Sequence, residues 1–372
     1  MKKMNVFNSL GFASFLSSVG AILVGLLVGF IILLISNPSE AWLGFSTILF
    51  GGISNLQRVG QTIYFAMPLI MTGLSLGFAS KTGLFNIGAS GQFIVGAFAA
   101  VYVGVKWTFL VGPLHWIVAI LAGMLFGAIW GSIPGLLKSS RNVNVVISCI
   151  MMNYIGMYMV NALVRVTVHD TLSNQSQMVA SSAVLPKMGL DSIFIYNMRA
   201  SNVNIGIFIA ILAAVIIYII LDKTKFGYEL KASGYSFGAS RYAGMNEKRN
   251  VVLTMAISGA LAGLGGALLY LSGSGKGIEL VDLLAPEGFM GIPVALLAQN
   301  NPLGIIFSGL FLAYLKVGGD QMQLYNFVPE VIDIITSVII YFSAFALVLK
   351  GFIQNRKTIL LKLKERKSKG GA

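Results

Sequence analysis

The sequence predicts an all-α fold, a polytopic transmembrane bundle of about ten spans with broken or re-entrant helices and both chain ends in the cytoplasm. Three observations carry that expectation. Hydrophobic residues make up 56% of the 372 residues and charged residues 10%, with a mean hydropathy of +0.82; ordinary soluble domains carry about 25% charged residues. The apolar residues are gathered into runs long enough to cross a bilayer. Lys and Arg, finally, are shared unequally between the connections on alternate sides.

The first run, 10–35, has no charge between Lys3 and Glu40. It is too long for a signal-peptide core and lacks a small-residue cleavage site, so it reads as a retained first helix. Further runs occupy 60–80, 85–105, 109–137, 143–163, 204–221 and 251–271, each near the ~20 residues that span hydrocarbon. Two shorter runs, 286–299 and 302–315, have the length of half-helices or re-entrant segments. The last run is 328–349. These runs form one membrane domain over 1–350, followed by a basic cytoplasmic tail at 351–372.

With the N-terminus inside, nineteen of the 26 Lys and Arg fall on the inner side, Lys2, Lys81, Lys138, Lys231 and Arg241 among them, and seven on the outer side. That is the positive-inside pattern. The formal charge of +13 is therefore a topology signal and not a sign of nucleic-acid binding. The longest inner connection is 222–250, and the longest outer one is 165–203.

Gly123, Gly127, Gly131 and Gly135 recur every fourth residue, as do Gly259 and Gly263, and Gly25 and Gly29. Such spacing lets helix backbones approach closely in lipid, where no hydrophobic drive brings helices together. Pro68, Pro113, Pro134, Pro293, Pro302 and Pro329 lie in or beside spans, as in transporters whose broken helices line a path. The single cysteine, Cys149, excludes an intrachain disulfide. His115 and His169 lack metal-ligand spacing, so no metal site is expected.

Three stretches go beyond a generic membrane protein. GLFNIGASGQ at 83–92 is polar and glycine-rich at the start of an apolar run. FGYELKASGYSFGASRYAGM at 226–245 is amphipathic and lies between long spans. GFMGIPVALLAQNNPLGI at 288–305 is a helix interrupted by Asn300, Asn301 and Pro302. Together with SGALAGLGGAL at 258–268, and in this order, they resemble the permease subunits of bacterial ABC importers for branched-chain amino acids, ribose-type sugars and nucleosides. The resemblance covers about 60–349 and is closest to nucleoside permeases that work with a basic-membrane-lipoprotein type of binding protein. The sequence departs from the family at YSFGAS, 235–240, which alters the surface offered to an ATPase.

The resemblance implies a transport subunit, not an enzyme, in a bacterial cell membrane. ATP and Mg are bound by a partner ATPase, and no cofactor by this chain. The implied partners are a cytoplasmic ABC ATPase, a second permease subunit in a heterodimer, an extracellular substrate-binding lipoprotein and a small solute, most simply a nucleoside. In the family the stretch matching Gly234, Phe237, Arg241, Tyr242, Gly244 and Met245 is a coupling helix that docks on the ATPase. The alternative is an amphipathic helix on the membrane surface. GSGKG at 273–277 imitates the end of a P-loop, but Tyr270 stands where the first glycine belongs and Gly277 where Ser or Thr belongs.

Polar residues at membrane depth are costly unless they face partners or a cavity. That singles out Asn86, Gln92, Asn153, Glu330 and Asp333 as candidates for the substrate path, with Phe85, Phe93 and Tyr154 as rings that could stack on a base or pack in a core. Glu330 and Asp333 share a helix face; the alternative is that they only start a helix at the headgroup level. The competing functions are import of a simple sugar such as ribose by the same family, an ion-coupled secondary transporter using Glu330 and Asp333, a membrane enzyme and a channel.

Overall fold

The computed structural model describes residues 10–344. The charges at Lys2 and Lys3 and the basic tail at 351–372 lie outside the described residues. In chain order the helices are α1 (Leu10–Ser36), α2 (Ala41–Phe50), α3 (Leu56–Lys81), α4 (Ala89–Lys106), α5 (Pro113–Arg141), α6 (Val145–Thr167), α7 (Leu190–Ile193), α8 (Gly206–Lys223), α9 (Lys225–Tyr235), α10 (Phe237–Tyr242), α11 (Glu247–Tyr270), α12 (Pro286–Leu297), α13 (Pro302–Asp320) and α14 (Pro329–Ala344). The fold is all-α, with only two short hairpins among the described residues, β1 (His169–Asp170) with β2 (Gln175–Ser176) and β3 (Ile195–Tyr196) with β4 (Arg199–Ala200).

Among the described residues, seven helical segments are long and apolar enough to cross a membrane, namely α3, α4, α5, α6, α8, α11 and α13 extended to Tyr325. The other expected spans correspond to α1, α12 and α14. Among the elements not foreseen is α2, which is only 10 residues long, half of what a crossing helix requires.

The chain divides into two compact units, Met1–Gly51 with Gly318–Ala372, and Gly52–Val317. In the first, α1 packs on α14, where a Cβ on Gly29 would meet the Ile335 side chain at 2.9 Å. Gly44 of α2 lies under the Phe327 ring, and Phe30 and Phe45 stack with centroids 4.9 Å apart.

The second unit is built on close glycine seams. Gly123, Gly127 and Gly131 of α5 lie against the backbone of α11 at Gly263, Gly259 and Met255. A Cβ on Gly127 would come within 2.8 Å of the Gly263 Cα, so the sequence spacing does bring these two backbones together. On the other side of α3, Gly73 and Gly77 receive Ile305 of α13, and Gly309 of α13 receives Ile70.

The two seams are related. α3, an extended stretch, α4 and α5 form one series; α11, an extended stretch, α12 and α13 form another. α3 and α11 run antiparallel, with Ser75 beside Ser258 and Met71 beside Gly265. α5 returns along α11 as α13 returns along α3. The series therefore has the form of an inverted repeat, an arrangement that transporters use to place a path between two halves.

Local chemistry starts these helices where the sequence places polar side chains. Asn55, Asn144 and Asn246 accept the N–H of Arg58, Val146 and Arg249 at 2.9, 2.9 and 3.0 Å, satisfying first-turn donors. Pro113 and Pro286 stand at the first helical position, where a missing N–H does no harm. Asn142 closes α5 in the left-handed region at φ 53°.

The stretch 165–203 is ordered by hydrogen bonds to its neighbours. Ser176 N–H donates to Ile278 O at 2.9 Å, Leu185 N–H to Leu271 O at 2.8 Å, and the buried His115 bridges Ser182 Oγ at 2.8 Å and Val103 O at 3.0 Å.

Candidate functional site at two interrupted helices

Both extended stretches penetrate the second unit and end near each other. After α3 the chain turns at Thr82 and Gly83, and residues 84–88 run back along α3 before α4 begins at Ala89. Asn86 reaches Ser75, six residues from the Lys81 end and so about 9 Å along the helix. α4 therefore starts inside the bundle.

Backbone groups at such depth have no water and need internal partners. Asn86 supplies several. Its Nδ2 donates to Ser258 Oγ at 2.6 Å and Gln92 Oε1 at 2.7 Å, and its Oδ1 accepts from Gly88 N–H at 3.1 Å and Gln92 Nε2 at 3.1 Å. Ser258 Oγ in turn donates to Ser75 O at 2.7 Å. Asn153 of α6 completes the joint: Oδ1 accepts the Gly91 N–H at 2.8 Å and Nδ2 donates to Ile87 O at 3.0 Å. Gly91 is in the first turn of α4, whose N–H groups have no partner within the helix.

The second extended stretch leaves α11 at Leu271 and descends to α12 at Pro286. Asn174 pairs with Leu280 in both directions, at 2.9 and 3.0 Å. Asn161 Nδ2 holds Val281 O at 3.0 Å and Asp282 Oδ1 at 3.1 Å. Ser90 Oγ donates to Ala285 O at 2.9 Å, and a Cβ on Gly288 would lie 2.6 Å from the Ser90 nitrogen. The first turns of α4 and α12 thus touch, and the helices run apart in opposite directions. α12 ends with Gln299 and Asn300 at φ 52° and 56°, the break expected from NNP. Lys276, in the P-loop-like stretch, pairs with Glu287 at 3.1 Å.

At the other end of α3 lies the α9–α10 pair. A Cβ on Gly83, whose φ is +77°, would lie 2.5 Å from the Gly234 Cα, so the turn before α4 rests on the last turn of α9. Asn250 of α11 donates to Ser233 Oγ at 2.8 Å and pins the same turn. Ser236 caps α10 through the Ala239 N–H at 3.3 Å, and Gly244 at φ 78° follows it. Arg241 and Tyr242 project outward, Tyr242 97% exposed, and Met245 is half-buried. The side chain of Phe237 lies outside the described residues.

The expected path residues separate into groups. Asn86, Gln92, Asn153 and Phe93 are all buried, and the three amides are spent on the protein itself. Phe85, beside them in sequence, is 40% exposed. Glu330 and Asp333 stand exposed in the first turns of α14, in the other unit. Ser90, singled out with Asn86 and Gln92 as a polar group at membrane depth, finds its partner in Ala285 O; Ser75, Asn161 and Ser258 were not singled out from sequence, where the available signal was a lone polar group inside an apolar run. Among the described residues, no group of three His, Cys, Asp or Glu side chains could hold a metal.

A family model described as branched-chain amino acid transport system / permease component matches residues 58–344. The chain belongs to this permease family. The permease is 39% identical over 327 residues to the guanosine ABC transporter permease protein NupP of Bacillus subtilis, covering 87% of this chain and 91% of that one. It is 34% identical to the nucleoside ABC transporter permease protein NupB of Lactococcus lactis, over 91% and 93% of the two chains. A glucose ABC transporter permease protein of Haloferax volcanii is 32% identical over 74% and 73%. No solved structure matches the permease. It is a multi-pass membrane protein and a permease subunit of an ABC importer.

Proposed function

We propose that the permease conducts nucleosides into a bacterial cell across the cytoplasmic membrane. A separate cytoplasmic ABC ATPase binds ATP and Mg, a second permease subunit completes a heterodimer, and an extracellular lipoprotein delivers the solute. The observation that carries this reading is the 34–39% identity to nucleoside and guanosine permeases over 87–91% of this chain. The glucose permease relative favours the second reading, a sugar importer.

In the proposed cycle the ATPase grips α10 through Gly234, Arg241, Tyr242, Gly244 and Met245, with Phe237 at its start. Movement of α9 passes through the Gly234–Gly83 contact to residues 84–88, and through Asn86, Gln92 and Asn153 to the start of α4. Ser90 then carries it to α12. The buried amides thereby hold the joint that moves, with Phe93 packed behind it. Phe85 is assigned to the path within the second unit, and Glu330 and Asp333 are kept as candidates for contact with the solute from the first unit taken by itself. Deletion of the gene should abolish uptake of radiolabelled guanosine and leave glucose uptake intact, and affinity capture in mild detergent should recover an ABC ATPase. Loss of glucose uptake with guanosine uptake retained would replace the nucleoside reading with the sugar one.

A further inference from the structure

The outward faces of the second unit are not alike. α5 exposes Leu121, Leu125 and Ile129, and α8 exposes Phe208, Leu212 and Ile216; these are hydrocarbon surfaces suited to lipid. α6 differs in part: beside the apolar Ile147, Met151 and Ile155 it exposes Tyr154 and Tyr158, at 48% and 55%, one turn apart on one face. Measured from Thr167, the last residue of α6, Tyr158 lies about 14 Å and Tyr154 about 20 Å into the helix. Two phenols at that depth are poor lipid neighbours.

The extended stretch before α12 adds a carboxylate at the edge of this face. Asn161, one turn above Tyr158, binds Val281 O and Asp282 Oδ1. Asp282 is exposed, about 9 Å below the end of α6, and its second oxygen is left for a further donor. Through Asn161 the carboxylate is held at the edge of the helix face that carries Tyr158 and Tyr154, and an exposed carboxylate at that depth requires water or a polar partner beside it.

We propose that Tyr154, Tyr158 and Asp282 form a nucleoside subsite in the outer half of the translocation path. The rings stack on the base, and Asp282, positioned by Asn161, accepts ribose hydroxyls. The inference rests on the nucleoside reading above and adds the residues that recognise the two halves of the solute.

The test uses the assembled importer in intact cells. In a Cys149→Ser background, Tyr158→Cys should react with a membrane-impermeant thiosulfonate added outside, and guanosine should slow the reaction several-fold. No reaction, or reaction that guanosine does not slow, overturns the subsite. Independently, Asp282→Asn should raise the KM for guanosine roughly tenfold and leave the inhibition constant of 2′,3′-dideoxyguanosine unchanged. Tyr154→Leu should weaken both about tenfold, with Tyr154→Phe near the parent. An unchanged guanosine KM in Asp282→Asn, or an equal loss for both compounds, refutes the ribose assignment. Absence of guanosine uptake by the unaltered importer sinks the nucleoside reading itself; intact uptake with a silent thiol sinks only the subsite.

Discussion

Gly83 and Gly234 touch backbone to backbone, with room for no side chain on either: a Cβ on Gly83 would lie 2.5 Å from the Gly234 Cα. Gly83 also holds a φ of +77°, a region where a side chain costs about 1–2 kcal/mol. The contact joins the α9–α10 pair to the turn from which the chain climbs to α4.

Gly83→Val should therefore lower the melting temperature of the detergent-purified permease and abolish transport. Gly238→Ala, where an added Cβ meets nothing within 4 Å, should melt like the parent. Equal melting of all three proteins would show that the turn does not depend on this contact.

Asn86 and Gln92 exchange two hydrogen bonds, at 2.7 and 3.1 Å. A double-mutant cycle with Asn86→Ala and Gln92→Ala should give a coupling energy of about 0.6–2 kcal/mol, the range for interhelical polar pairs in membranes. Additive losses in thermal denaturation would mean that the two amides act separately.

The seam between α5 and α11 tolerates no bulk. Gly263→Ile, facing the Gly127 Cα at 2.9 Å, should insert into the membrane yet fail to assemble, read as protease sensitivity at the normal amount of inserted protein. A protease-resistant variant would contradict the packing.

Tyr242 is nearly free of the protein surface, so Arg241→Glu with Tyr242→Ala should leave the melting temperature within about 1 °C, as surface substitutions do. Uptake should fall at least tenfold if α10 is where the ATPase grips. Parental uptake with parental melting would remove α10 from the coupling scheme.

In the stretch 165–203, the Ser173 hydroxyl at 2.7 Å and the Leu172 N–H at 3.1 Å hold the Asp170 carboxyl below its ordinary range. A lowered carboxyl stabilises above its unfolded pKa, and the contribution disappears as pH falls through the lowered value. Protection of the Leu172 amide should be constant from neutrality to about pH 4 and decline below it, whereas Asp170→Asn should show no such decline. Parallel profiles would show that the carboxylate does not organise this hairpin.

Much of the fold was legible because an apolar run of spanning length has one inexpensive conformation in lipid. α2 was not, since a ten-residue helix carries no such signal. The NNP break after α12 was legible from Asn300, Asn301 and Pro302, but the earlier break at 278–285 was hidden, because its support comes from Asn161 and Asn174, more than a hundred residues away. Asn86, Gln92 and Asn153 were conspicuous as polar groups at depth. Their sequence neighbours gave no indication that Ser258, 172 residues from Asn86, would complete their hydrogen bonding and draw them inside.

The most direct measurement is guanosine accumulation in liposomes holding the permease with its captured ATPase, second subunit and binding lipoprotein. Accumulation should require ATP and every subunit, survive a protonophore, and stop when Gly83→Val replaces the parent chain. Guanosine movement that proceeds without the ATPase and collapses with the ion gradient would contradict the account.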